Sequence, residues 1–538
     1  MKKIFLIILA IVVVIVGAIF FFLSKDTTNP YVAECDFSVP EAEIPKFTEV
    51  KNNFVHAFRN DKDLPVTGSA IIDMDNDNRD EIFVGGGFSQ PDGLFRLVDG
   101  KLVNVAKKVG LNQMKKSNTI GAVSFDLDDD GHTDLLLARK DGFYFLRNNG
   151  TQFEPQKLDI QLDAKSNPLT ITVGDFDNDG DADLFLCNYI QIAKMEGQSI
   201  FNQKGYGGKS LLMRNDGDLK FTDVTDEMGL NYVHNTFQGV FVDVDDDGWL
   251  DLVVAYDTGE ARTYKNEGGK HFRAMPNPIT GKFGYPMGIG VGDYDNDTKV
   301  DFFFSNTGST IPSFMGKGDL KDNQELVTDW LLFRNEGNFQ FKDDAKRAQI
   351  AKFEFSWGAI FEDFNLDGRQ DLVVAENYVA FPGHKLFKLP CRFLIQRDGQ
   401  TFAAVEQQAK VINKNYAITP LSAHLNDDNY PDLVYINLDG PLKVFLHDGS
   451  MNHAIRLNFP ERSEYVGAKA ILTTKKGLQM SDTYIIGEGL GGDQSGTLTF
   501  GIPEGDVPVS IKIHLVNGKE WVLDSIKSDE IIQLEENH

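Results

Sequence analysis

The sequence predicts an all-β molecule: seven four-stranded units, then a smaller β domain, with one apolar helix ahead of both. Three observations carry this. An acidic motif recurs seven times, a glycine turn recurs in step with it, and the spacing between the two is constant on one side only.

The acidic motifs are DMDNDNRDEI from Asp73, DLDDDGHTDL from Asp126, DFDNDGDADL from Asp175, DVDDDGWLDL from Asp243, DYDNDTKVDF from Asp293 and DFNLDGRQDL from Asp363. A worn copy, HLNDDNYPDL, starts at His424. Each runs into an apolar stretch such as LLLA, which reads as a buried strand. The turns FLRNNGTQF, LMRNDGDLKF, TYKNEGGKHF, LFRNEGNFQF and LIQRDGQTF read as tight hairpins. Their glycines, with two more in outlying copies, are Gly100, Gly150, Gly217, Gly268, Gly337, Gly399 and Gly449.

From each turn glycine to the next acidic motif is 25 or 26 residues, whereas from motif to turn the distance runs from 24 to 44. Length therefore varies in one place only, the connector between the second and third strands of a unit. Four-stranded units repeated seven times fit a seven-bladed β-propeller. The seventh repeat lacks a fourth strand, and KFTEV (46–50) resembles KFTDV (220–224), a fourth strand without its own unit. The N-terminal segment is therefore expected to complete the last blade, giving a propeller over 47–449, a linker over 26–46 and a C-terminal β domain over 450–538.

In D-x-D-x-D-G-x-x-D, side chains at positions 1, 3, 5 and 9 can converge, and the carbonyl of position 7 supplies a further oxygen. Oxygen ligands at this density suit Ca²⁺. The expected ligands are Asp73, Asp75, Asp77, Arg79 and Glu81; Asp126, Asp128, Asp130, His132 and Asp134; Asp175, Asp177, Asp179, Asp181 and Asp183. They continue with Asp243, Asp245, Asp247, Trp249 and Asp251; Asp293, Asp295, Asp297, Lys299 and Asp301; and Asp363, Asn365, Asp367, Arg369 and Asp371. Arg79, His132, Asp181, Trp249, Lys299 and Arg369 enter through the main chain. Position 12 is apolar in all six, inside a strand, so these are not EF-hands. Position 6 needs a left-handed backbone, which Gly and Asn78 bear but Thr298 resists. The seventh motif keeps Asn426, Asp428 and Asp432 and is expected to be empty, leaving five or six Ca²⁺.

A net charge of −27 argues against nucleic acid as a partner. Lys2 and Lys3 precede twenty apolar or small residues, Ile4 to Leu23, enough for a membrane helix within residues 1–25. Positive charge at that end places it in the cytoplasm and the bulk outside, a single-pass arrangement; cleavage as a signal would release a secreted protein instead. Three cysteines, Cys35, Cys187 and Cys391, are too few for a disulfide framework.

Across 47–449 the acidic loops and LxRNxG turns resemble the FG-GAP/VCBS repeats of integrin-α-type β-propellers. The tail segments VGAKAILTTKKG (466–477), GEGLGGDQSGTLTFGI (487–502) and VSIKIHLVNGKEW (509–521) resemble the ASPIC/UnbV domain. Together they resemble the cartilage-acidic-protein-like family, which implies an exported calcium-binding protein. GEGLGG also has the spacing of a dinucleotide loop, but a strand-like GTLTFGI follows where a helix is required.

Three connectors between second and third strands are enlarged: 188–211, 306–331 and 377–392. They should gather on the face opposite the acidic loops, where Tyr189, Phe201, Tyr206, Phe314, Trp330, Tyr378 and Phe381 can line a surface for a protein or glycan. That reading is a binding or adhesion module. The alternative is a metal-assisted lyase, isomerase or hydrolase using His384, Lys194, Glu196 and Tyr378, without a recognisable catalytic motif.

Overall fold

The computed structural model describes residues 13–15, 17, 38–58, 64–114, 117–195, 205–308, 317–376 and 389–534. The chain is all-β. In the second unit Thr119–Phe125, Asp134–Arg139, Gly142–Asn148 and Phe153–Lys157 pair antiparallel in that order. The first two strands are buried throughout, while the fourth is exposed beyond Phe153. Apolar runs without alternation mark strands covered on both faces, and the gradient shows which edge faces inward.

Five other sheets repeat this order from first strands Ser69–Ile72, Ser166–Gly174, Asn235–Val242, Ile289–Gly292 and Ser356–Glu362. Another comprises Tyr416–Ala423, Asp432–Leu438 and Lys443–His447, and takes its fourth strand from the N-terminal side: Phe47–Glu49 pairs antiparallel with it, Phe47 opposite His447. Phe47 is 1% exposed and meets Phe364, Phe393 and His447 edge-on. Its burial contributes about 1.5–3 kcal/mol. Each first strand packs against the next, and Tyr416–Ala423 packs against Ser69–Ile72, so the sheets follow one another around an axis as in a propeller.

Two further sheets form the C-terminal region. His453–Asn458 lies between Thr497–Ile502 and Ile531–Gln533; the other runs Gln479–Thr483, Lys469–Thr474, Pro508–His514, Glu520–Asp524. One hydrophobic cluster joins Phe125, Val173 and Leu184 to Ile455, Phe500 and Ile511, so this region shares a core with the second and third repeat sheets.

Its GEGLGG segment enters the axis. Gly489 and Ile289 exchange backbone hydrogen bonds at 2.8 and 2.9 Å, and the Gly491 carbonyl accepts from the amides of Ser69 and Ala122. Leu490 is fully buried in one cluster with Val66, Ile120, Leu169, Phe237, Met287, Trp357 and Ile418, a residue at or just ahead of each first strand. Gly487 has φ +84°, and a Cβ there would lie 2.4 Å from the Ile171 carbonyl oxygen. The glycines serve close backbone approach, and the segment is an axial plug followed by a strand.

Cys187 and Cys391 are both buried free thiols. The expected membrane helix is not supported: Val13–Ile15 and Gly17 are helical, but among the described residues no helix is long and apolar enough to cross a membrane. The rest of that segment, with Cys35, lies outside the described residues.

Candidate metal centres

Each acidic loop is folded by its own carboxylates. In the second, Asp126 accepts from the amides of Asp130 (3.1 Å) and Gly131 (2.7 Å), and Asp130 accepts from the His132 amide. Asp134, opening the buried strand, accepts from Leu127 (3.1 Å) and Asn148 (2.7 Å). The loops at Asp175, Asp243 and Asp293 repeat the bonds of the first- and ninth-position acids. Position 6 is left-handed as expected, Asn78 at φ 66° and Thr298 at φ 69° included. Position 4 is left-handed too, at Asn76, Asp129, Asn178, Asp246 and Asn296. Asn and Asp are the side-chain-bearing residues that best tolerate this conformation.

Five groups of carboxylates converge, each offering oxygens within 4.8 Å of one another: Asp73, Asp75 and Asp77; Asp126, Asp128 and Asp134; Asp175, Asp177 and Asp183; Asp243, Asp245 and Asp251; Asp293, Asp295 and Asp297. In four of them the third-position aspartate has a buried oxygen without a hydrogen-bond partner: Oδ1 of Asp128, Asp177, Asp245 and Asp295. A buried, unpaired carboxylate oxygen is costly, and the cost recurs at one position. Burial pushes Asp134 up to about 8 and Asp183 and Asp251 up to about 9, the backbone donors pulling down and the neighbouring aspartates pushing up. Asp126, Asp175, Asp243 and Asp293 are pushed up to about 6, again chiefly by burial. Orphaned inner oxygens, convergent hard donors and raised acids together fit a divalent, oxygen-preferring cation.

The sixth motif differs. The first-position acid, Asp363, accepts the same two backbone amides as in the other loops. The third position is the difference: Asn365 stands there and donates to Asp367 Oδ2 at 3.1 Å, an oxygen that Arg369 also pairs with at 2.6 Å. Among the described residues the acids of this loop do not form a convergent group. Leu366 at position 4 has φ 59°, an unfavourable conformation for a leucine. The expected sixth site therefore lacks the geometry of the other five. Beside the seventh motif the guanidinium of Arg456, 2% exposed, faces the charges of Asp80, Asp428, Asp73 and Asp432. A fixed cation stands close to the motif expected to be empty.

Two partners of the loops come from the third strand and were invisible in the acidic motifs themselves. Asn148, Asn266 and Asn335 donate through Nδ2 to a main-chain carbonyl of the preceding unit's loop, Met74, Phe176 and Val244 respectively. Beside each stands a base: Arg147 pairs with Asp128 (2.6 Å) and Asp130 (3.1 Å), and Lys265 with Asp245 and Asp247. The signal was the RN or KN pair inside the repeated turns.

Of the residues expected to line the opposite face, Phe201, Glu196, Phe314, Tyr378, Phe381 and His384 lie outside the described residues. Two expected surface aromatics are core. Trp330 is fully buried, stacks on Phe353 and donates Nε1 to the Glu354 carbonyl. Tyr189 is buried and its hydroxyl donates to Asp257 at 2.6 Å. Tyr206 is half-buried, 6.2 Å from His234 ring to ring, and Lys194 donates to the Ala164 carbonyl. A cleft of about 670 Å³ opens instead beside the acidic loops, between Asp126–Asp129, Asp175–Ala182 and the C-terminal Arg462–Glu464 and Val516–Asn517.

Residues 126–186 and 243–304 match the FG-GAP-like repeat family. Cartilage acidic protein 1 of Xenopus tropicalis is 33% identical over 113 residues, 20% of this chain, and the match spans 17% of that protein. Similar solved structures include an Agrocybe aegerita lectin specific for non-reducing terminal N-acetylglucosamine (15% identity, TM-score 0.37, 72% of this chain and 92% of that one). The Dos1 propeller (10%, 0.34, 69% and 76%) and PorZ, a surface component of the type-IX secretion system of Porphyromonas gingivalis (12%, 0.38, 88% and 60%), are others. These are likenesses of fold alone.

Proposed function

We propose that the protein is a calcium-loaded seven-bladed propeller that binds a protein or glycan partner on the outer side of the cytoplasmic membrane. The observation that carries the calcium reading is the orphaned inner oxygen of Asp128, Asp177, Asp245 and Asp295, repeated at one loop position. Its site count is five, the number of convergent carboxylate groups.

FG-GAP-like repeats in a propeller-like fold suggest an interaction module. Leu490 packs within an apolar ring at the axis, which favours recognition on the faces. The enlarged connectors at 188–211, 306–331 and 377–392 supply the variable surface. The test is capture by the immobilised full chain, with calcium and in chelator, from a glycan array and from exported proteins of the source cell. Shortening 194–208 and 312–326 should abolish capture while leaving the melting midpoint and calcium content nearly intact. Capture that survives the shortening would place the working surface on the C-terminal region.

A further inference from the structure

The bases beside the acidic loops follow a rule. Along the ladder between second and third strands, Ile82 faces Phe95, Leu135 faces Leu146, Leu184 faces Met213, Leu252 faces Tyr264 and Phe302 faces Phe333. The next third-strand residue, level with the ninth-position acid, is Arg96, Arg147, Arg214, Lys265 or Arg334. In the sixth sheet Leu372 faces Leu394, which puts Ile395 there; in the seventh Leu433 faces Phe445, which puts Leu446 there. The five sheets with convergent carboxylates carry a base at this position and the two others carry an aliphatic residue.

We propose that these five bases are positioning residues for the loop cation: each holds the outer oxygen of the third-position aspartate so that the inner oxygen faces the ion. The proposal rests on the calcium reading above. Single carboxylates show the division. Asp128 gives Oδ2 to Arg147 at 2.6 Å while Oδ1 is buried without a partner. Lys265 takes Oδ2 of Asp245 and Arg334 lies 3.9 Å from Oδ2 of Asp295, both again with Oδ1 unpartnered. Arg96 reaches Asp75 Oδ2 at 2.8 Å. Arg214 pairs with Asp216 at 2.8 Å and acts on Asp177, whose Oδ1 is likewise orphaned, through its charge alone.

A base displaced by the ion would occupy the inner oxygen; here it leaves that oxygen unused. The charge balance agrees. Four carboxylates with a divalent cation retain two negative charges, and the base removes one of them. Where the acids do not form a convergent group, an aliphatic side chain stands at this position. Outer partners of this kind set ligand orientation, and their loss typically weakens metal binding about 10–100-fold.

The test uses the full chain carrying Arg147→Met, Lys265→Met or the exchanges Arg147→Lys and Lys265→Arg. Calcium binding is followed by competition with a fluorescent chelator, bound metal is counted after gel filtration, and melting in excess chelator checks that each variant is folded. Arg147→Gln replaces Arg147→Met if the latter fails to fold. Each uncharged variant should bind at one of its sites about tenfold more weakly, and each exchange should restore wild-type binding, because Lys265 already stands where the other four loops carry Arg. Uncharged variants that bind every calcium as tightly as wild type would overturn the proposal and leave the calcium reading intact. An exchange as weak as the uncharged variant would overturn it too, since charge at that position would then not be the cause. Wild-type protein that binds no calcium would instead overturn the calcium reading.

Discussion

A single carboxylate shows how the loops work and why only part of that was legible beforehand. Asp128 sits at the third position of its motif, and spacing alone marks it as a ligand. That one of its oxygens is gripped by Arg147 depends on a partner 19 residues away on another strand, which loop spacing does not encode. Glu461 gives a second residue-scale expectation. Burial pushes its carboxyl up to about 8, the Thr133 bond pulls down, and Asp126, Asp493 and Asp73 push up. A group raised above its unfolded value of about 4.3 contributes stability below that pH and loses it as pH rises through the folded value. The melting midpoint of the metal-free chain should therefore fall between pH 5 and 8.5. Glu461→Gln, which stays neutral, should flatten that fall; an identical pH profile in the variant would refute the assignment.

At the scale of elements, the repeats announced themselves because their bonds are local: acid, turn and strand lie within one motif. The fourth strand of the last sheet was also legible, since KFTEV repeats the wording of KFTDV. Removing residues 1–60 should yield aggregated or protease-sensitive protein by exposing the edge at Lys443–His447, whereas removing 1–30 should not. Equal behaviour of the two would remove the closure argument. The axial plug was not legible, because GEGLGG meets its partners only after the first strands have assembled around it. Leu490→Ala should lower stability by about 2–5 kcal/mol through the cavity it leaves. Calorimetry should show wild type melting as one unit; a separate transition for the C-terminal region would contradict the plug's role in joining the two parts.

For the whole molecule, the charge of −27 and the five convergent groups make one statement: this fold holds carboxylates in numbers that mutual repulsion opposes. The sixth motif marks the limit of reading that statement from sequence. Its sequence keeps aspartate at positions 1, 5 and 9 and differs from the others by Asn365 at position 3, yet only the folded loop shows that these acids do not converge. If five loops bind calcium in the folded state only, ligand at about 100 times its dissociation constant contributes about 2.7 kcal/mol per site. One measurement tests this most directly: metal content of the purified chain, followed by its melting midpoint with calcium and in excess chelator. The account predicts about five Ca²⁺ per chain and a sharp drop of the midpoint in chelator. A chain that carries no calcium and melts at the same temperature under both conditions would contradict it.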